Sequence, residues 1–133
     1  MPFSKLPPAL SEALSAHGYT SLTPVQTAVI EDEARGRDMV VSAQTGSGKT
    51  VAFGLALADD LLTEERGLPV AEKPLALIIA PTRELALQVS RELMWLYAKA
   101  GARIATCVGG MDYRTEKRAL DRGAHIVVGT PGR

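Results

Sequence analysis

The chain has 133 residues, 46% hydrophobic and 23% charged, which suits one compact domain with a buried core and is too short for two. Its fifteen Lys plus Arg equal its fifteen Asp plus Glu, so no broad cationic field holds a polyanion from a distance and any nucleic-acid contact must be local. One cysteine, Cys107, excludes an internal disulfide framework, and with only His17 and His125 beside it a four-ligand zinc site is excluded too. The start Met1-Pro2-Phe3-Ser4-Lys5 has no basic region followed by an apolar run, and the apolar stretch Val51 to Ala58 falls far short of the ~20 residues that cross a bilayer. A cytoplasmic, monomeric protein without membrane contact is expected.

In chain order, a first helix is predicted from about Pro8 to Ala16, stopped at His17-Gly18, where Gly supplies a left-handed turn. A second opens at Thr23-Pro24-Val25-Gln26, with Thr as N-cap, Pro at the first helical position and Gln at the third. Short Val/Ile/Leu/Ala-rich runs then recur at Asp38 to Ser42, Leu75 to Ala80, Arg103 to Val108 and His125 to Gly129, the pattern of strands covered on both faces. Between them lie Lys49 to Leu62, Arg83 to Ala100 and Asp112 to Arg122, each long enough for a crossover helix, so a parallel sheet follows. In the middle one, Leu85, Val89, Leu93 and Leu96 form the expected buried stripe. Thr63 to Pro74 reads as a surface connection.

Directly after the first predicted strand stands Ala43-Gln44-Thr45-Gly46-Ser47-Gly48-Lys49-Thr50, followed by an apolar helix. Glycines let successive N–H groups turn inward, and the helix N-terminus adds its partial positive charge, which together make a phosphate cradle. In this pattern Lys49 reaches the β and γ phosphates of a nucleoside triphosphate and the Thr50 hydroxyl meets Mg2+. Ala43 departs from the usual first glycine. The loop alone does not separate a kinase from a GTPase or a motor.

With its flanking sequence the chain resembles the DEAD-box ATP-dependent RNA helicases. Phe3 followed by Gly18-Tyr19-Thr20-Ser21-Leu22-Thr23-Pro24-Val25-Gln26 is similar to the family's Q motif, and Ala43 to Thr50 to motif I. Pro81-Thr82-Arg83-Glu84-Leu85-Ala86 is similar to motif Ia, Gly109-Gly110 to the GG motif, and Thr130-Pro131-Gly132-Arg133 to motif Ib. The resemblance covers nearly the whole chain. It implies an α/β, RecA-like P-loop fold with a mainly parallel sheet and helices on both faces, truncated at its C-terminal side. Residues 1–37 would carry the Q-motif helices and residues 38–133 an incomplete P-loop core.

The resemblance also assigns roles. Gln26 would read adenine, its carbonyl meeting the N6 amino group and its NH2 meeting N7; Thr23 and Gln26 alternatively form nothing more than a capping box. Gln26→Glu, keeping an acceptor for the box but losing the N–H toward N7, is expected to leave stability near normal and weaken ATP binding. Phe3 or Tyr19 would wall the base. Pro81, Thr82, Arg83, Gly109, Gly110, Thr130, Pro131, Gly132 and Arg133 follow strands, at the carboxyl rim where ligands of open α/β sheets bind. There they would grip single-stranded RNA, or one strand of a duplex, by its sugar-phosphate backbone. The alternative is that such loops contain Gly, Pro and Thr for turn reasons. Arg35, Arg37, Arg114, Lys117, Arg118 and Arg122 read as solvated faces, with Asp112, Glu116 and Asp121 interleaved among the last four.

Phosphoryl transfer also needs a carboxylate for Mg2+ and a group that orients water. Asp32-Glu33-Ala34-Arg35 precedes the loop with no apolar strand behind it, and Asp59-Asp60 lies roughly 14 Å along the helix from it. Neither qualifies, so residues 1–133 are expected to bind ATP or ADP weakly without hydrolysis or unwinding. The Asp-Glu-Ala-Asp element and a second RecA-like domain would lie further along a longer chain. A sheet that lacks those strands would leave apolar surface exposed. A self-contained P-loop kinase and a non-catalytic module gated by nucleotide are the rival readings.

Overall fold

The computed structural model describes residues 3, 5–44, 48–61, 73–109 and 112–132, with only the backbone described at 59 and 60. Helix α1 is Pro8–Ala16, followed at Gly18 by a left-handed turn (φ 93°) in which Tyr19 N–H donates to Leu14 O at 2.9 Å. Helix α2 is Pro24–Val29, capped by Thr23, and a 3-10 turn follows at Asp32–Ala34. Helix α3, Lys49–Ala56, breaks at Leu57 and resumes as the short α4, Ala58–Leu61, so the single long helix expected over this stretch is divided.

Strand β1 is Ala76–Ile79, helix α5 Arg83–Leu96, strand β2 Ile104–Cys107, helix α6 Tyr113–Asp121 and strand β3 Ile126–Gly129. A 3-10 turn at Ala98–Ala100 closes α5. The strands form a parallel sheet in the order β1-β3-β2, with Ile79, Gly129 and Cys107 in register at its carboxyl end. β3 is central and buried throughout, as the run Ile126-Val127-Val128 requires, because both its faces are covered. On one face lies the main core, built from α1, α3 and α5 residues such as Leu10, Leu14, Leu55, Leu93 and Leu96; on the other, Ala105 and Val127 pack under α6.

Three expectations need correction. Residues 38–42 form no strand among the described residues, and Val40 is fully exposed. A strand is stabilised by a ladder partner, and Met39-Val40-Val41 has β-forming side chains but no neighbouring strand here. The strand at Ala76–Ile79 is also not covered on both faces as expected: Leu77 (66%) and Ile79 (60%), alternate side chains on one face of β1, are exposed. The buried stripe of α5 is Ala86, Ser90, Leu93 and Leu96, while Leu85 faces outward. Small Ala86 and Ser90 let the helix approach the sheet, and the Ser90 hydroxyl is satisfied by donating to Ala86 O at 3.0 Å.

Helix α3 meets α5 at Gly54. A Cβ there would collide with Leu96 and Leu93, and the buried Tyr97 hydroxyl donates to Gly54 O at 2.6 Å. This contact fixes how closely α3 approaches α5. Among the described residues no helix is long and apolar enough to cross a membrane.

Candidate nucleotide loop and backbone ledge

The N-terminus of α3 is where the phosphate cradle was expected. Gly48, its N-cap, is left-handed (φ 85°, ψ 28°), and Lys49 and Thr50 are the first helical residues, both half-buried. The first-turn N–H groups of a helix have no intrahelical acceptor, so this end offers donors and positive potential to an anion. A Cβ at Gly48 would land on the Gln26 side chain, so glycine is required both by φ and by space. Thr45, Gly46 and Ser47 lie outside the described residues.

Gln26 is fully buried. The N–H of Thr23 donates to its Oε1 at 3.0 Å, its own N–H donates to Thr23 Oγ1 at 3.4 Å, and its Nε2 donates to Gly48 O at 3.3 Å. The capping box is therefore formed, and the two ends of the amide are chemically distinguished, because only oxygen can accept from Thr23 and only nitrogen can donate to Gly48. A primary amide has two lone pairs and two N–H groups, so one acceptor and one donor position remain after these bonds. Capping by itself does not exhaust the amide, but the side chain is fully enclosed, with no surface open to a ligand in this structure.

The Gly48 contact also changes the expectation for Gln26→Glu. An ionised carboxylate would set an oxygen against the Gly48 carbonyl in a buried place, which removes a hydrogen bond and adds repulsion. Near-normal stability does not follow.

Ala43 and Gln44 line an open, mainly apolar groove of about 600 Å³ between the 39–44 segment and the Pro24, Val25 and Ala28 face of α2. Phe3 and Tyr19 line a different groove of about 800 Å³ with Pro8, Glu12, Ser15 and Lys99. Gln26, Gly48, Lys49 and Thr50 do not line that second groove. Phe3 is buried in the core. Tyr19 is half-buried, its ring 5.8 Å from Trp95 and 6.2 Å from His17, and these two stack at 3.8 Å with their planes 1° apart. Trp95 Nε1 donates to Glu92 Oε2 at 2.7 Å. Sequence reasoning missed this support of Tyr19, because Gly18 and the α5 packing bring together residues with no shared motif.

At the carboxyl end of the sheet, β1 leads to Pro81, Thr82 and Arg83, all exposed. Thr82 Oγ1 accepts from Leu85 N at 3.2 Å as the α5 cap. β2 leads through Val108 to exposed Gly109, and β3 to Thr130, Pro131 and Gly132. Thr130 N–H donates to Cys107 O at 3.2 Å, tying the β3 exit to the end of β2. Because β3 is central, its exit lies between the other two, and the described residues of the expected ledge share one rim. Gly110 and Arg133 lie outside the described residues. No cluster of His, Cys, Asp or Glu among the described residues could hold a metal ion, and Asp32 and Glu33 sit in the 3-10 turn that follows α2.

The sequence model for the DEAD/DEAH box helicase family matches residues 23–133. The chain is 42% identical over 127 residues to the DEAD-box ATP-dependent RNA helicase 53 of Oryza sativa subsp. japonica, covering 95% of this chain and 20% of that protein. It is 43% identical over 139 residues to the pre-mRNA-splicing ATP-dependent RNA helicase PRP28 of Debaryomyces hansenii, covering 98% of this chain and 24% of that protein. Its structure resembles the crystal structure of the RNA-helicase Prp28 from Chaetomium thermophilum bound to ADP, with a TM-score of 0.81 and 40% identity, covering 96% of this chain and 31% of that one. These neighbours bear out the RecA-like fold class, and the chain spans about a fifth to a quarter of the length of these curated relatives. On its sequence and its fold together, the chain belongs to the DEAD/DEAH box helicase family.

Proposed function

We propose that this chain is the nucleotide-binding front portion of an ATP-dependent RNA helicase, which couples ATP hydrolysis to local unwinding of RNA duplexes or remodelling of RNA–protein assemblies. The observation that carries the reading is the buried Gln26 amide, held with defined polarity against Gly48, the residue immediately before Lys49. It joins an adenine-type donor and acceptor pair to a phosphate-type helix N-terminus. Relatives named as ATP-dependent RNA helicases, and a similar structure bound to ADP, support the same nucleotide.

In this reading Lys49 holds the β and γ phosphates and the Gly48 to Thr50 backbone lines the cradle. Gln26 selects adenine over guanine, whose O6 would oppose the amide oxygen. Tyr19, braced by Trp95 and His17, and core-buried Phe3 stand on a groove that Gln26 and the α3 N-terminus do not line, so they would brace the turn before α2 rather than touch the base. The Thr50 hydroxyl, at the second position of α3, suits Mg2+, which when bound would neutralise phosphate charge. The rim at Pro81 to Arg83, Gly109 and Thr130 to Gly132 presents backbone, hydroxyl and guanidinium groups to RNA phosphates, so binding would be largely independent of base sequence. The carboxylate for Mg2+ and a second RecA-like domain would come from further along the longer protein. In the intact enzyme, ATP and RNA would bring the two domains together around the rim.

Phosphate release by the full-length protein, measured with and without single-stranded RNA, tests this. Stimulation by RNA that disappears in Lys49→Ala supports a helicase. Phosphorylation of a small acceptor would indicate a kinase, and nucleotide binding without turnover a gating module.

A further inference from the structure

In sequence, helix α6 and its flanks look charge-balanced, with Arg114, Lys117, Arg118 and Arg122 alternating with Asp112, Glu116 and Asp121. The fold separates these charges. Glu116 is buried (5% exposed), on the side of the helix that packs on β2. Asp112 is taken up at the N-cap, where its Oδ1 accepts from Arg114 N at 3.0 Å. Arg114, Lys117, Arg118 and Arg122 are all exposed, and with Asp112 and Asp121 also exposed the outward side carries four cations against two acids. Successive positions at i, i+4 and i+8 place Arg114, Arg118 and Arg122 along one helix face, with Lys117 beside them. Arg103 joins the lower end, its Nη1 donating to Arg122 O at 2.9 Å. None of these cations is in an ion pair among the described residues.

The stripe also has a direction. Strand β2 is the sheet edge, and α6 follows it, so the helix starts at the rim beside Gly109 and descends away from it. From Arg114 to Arg122 it runs about 12 Å, the axial rise of three or four phosphates along one strand of a duplex. We propose that the exposed face of α6 is a second phosphate-contact surface that takes RNA leaving the ledge. It rests on the ledge reading above for where the RNA arrives. The contact would be electrostatic and indifferent to base, because a row of Arg and Lys on a smooth helix face meets phosphates and offers no pocket for a base edge.

The test uses the full-length protein with a short oligouridine that fills only the ledge, and a long one extended either as single strand or as duplex. Replacing Lys117, Arg118 and Arg122 together by Gln is expected to lower affinity for long RNA about tenfold at low salt and to leave the short RNA unchanged. The slope of log affinity against log salt on the single-stranded extension should fall by about 2, near 0.7 per lost contact. A response limited to one form of extension supports the proposal and identifies which form the helix contacts. Unchanged affinity and slope on both long RNAs would overturn it. A charge-preserving triple change, Lys117→Arg with Arg118→Lys and Arg122→Lys, should retain long-RNA binding; equal loss in both triples would also overturn it. Arg83→Ala separates the two readings: weaker short-RNA binding supports the ledge, and no change there refutes the ledge while leaving the salt-slope result on α6 to be judged alone.

Discussion

The side-chain amide of Gln26 donates to the main-chain carbonyl of Gly48, 22 positions away, and the same carbonyl accepts the α3 hydrogen bond from Ala52 N–H at 3.0 Å. The α2 N-terminus and the start of α3 are thereby joined through one oxygen. Gln26→Glu should destabilise the fold by about 1–3 kcal/mol at neutral pH. The sign with pH is fixed by linkage. Once protonated, the introduced carboxyl can donate to Gly48 O as the amide does, so folding would raise its pKa. The stability deficit of the variant is then small below the unfolded value of about 4.3 and grows as pH rises through the folded one. Thermal unfolding of variant and parent across acidic to neutral pH checks this; a deficit that shrinks as pH rises would contradict it.

Removing the cap from the other side gives a separate readout. Thr23→Ala loses the acceptor for Gln26 N–H and should cost about 1 kcal/mol of stability. The Thr23 N–H to Gln26 Oε1 bond is made by the main chain and survives the change, so selectivity for ADP over GDP should be largely kept. Calorimetric titration with both nucleotides measures it.

Lys49→Ala should leave the unfolding midpoint nearly unchanged, because the half-buried side chain starts a helix and belongs to no core cluster. Losing a charge-assisted contact to phosphate should weaken ATP binding roughly tenfold to a hundredfold, about 1.5–3 kcal/mol. Equilibrium titration with a fluorescent adenine nucleotide reads the change.

Gly54→Ala should destabilise by about 1–3 kcal/mol, since the added methyl meets Leu93 and Leu96 across the α3–α5 contact. Displacing α3 would also tilt the phosphate cradle, so nucleotide affinity should fall together with stability. Denaturant unfolding and titration of the same variant test whether the two losses coincide.

Residues 1–133 produced alone should self-associate through the exposed β1 face and the Val40 segment, and should bind nucleotide without turnover. Leu77→Lys with Ile79→Lys should reduce light scattering while keeping the unfolding midpoint, because both side chains are exposed.

Local chemistry made much of this chain legible before folding is considered. Thr23-Pro24-Val25-Gln26 encodes its own cap, Gly18 its own helix stop and Gly48-Lys49-Thr50 the opening of α3, because each depends on neighbours within a turn of helix. The α/β alternation and the carboxyl rim follow from apolar runs at strand and helix spacing. Partnership at long range was not legible. A ladder decides whether Met39-Val40-Val41 is a strand, and the central place of β3 decides that the Thr130 loop lies between the others. Packing turned the α5 stripe toward Ala86 and Ser90, since close approach to a sheet favours small side chains that hydrophobicity alone ranks low. It also buried Glu116 and left the α6 cations outside, a separation that no count of charges contains, because burial depends on which helix face meets β2.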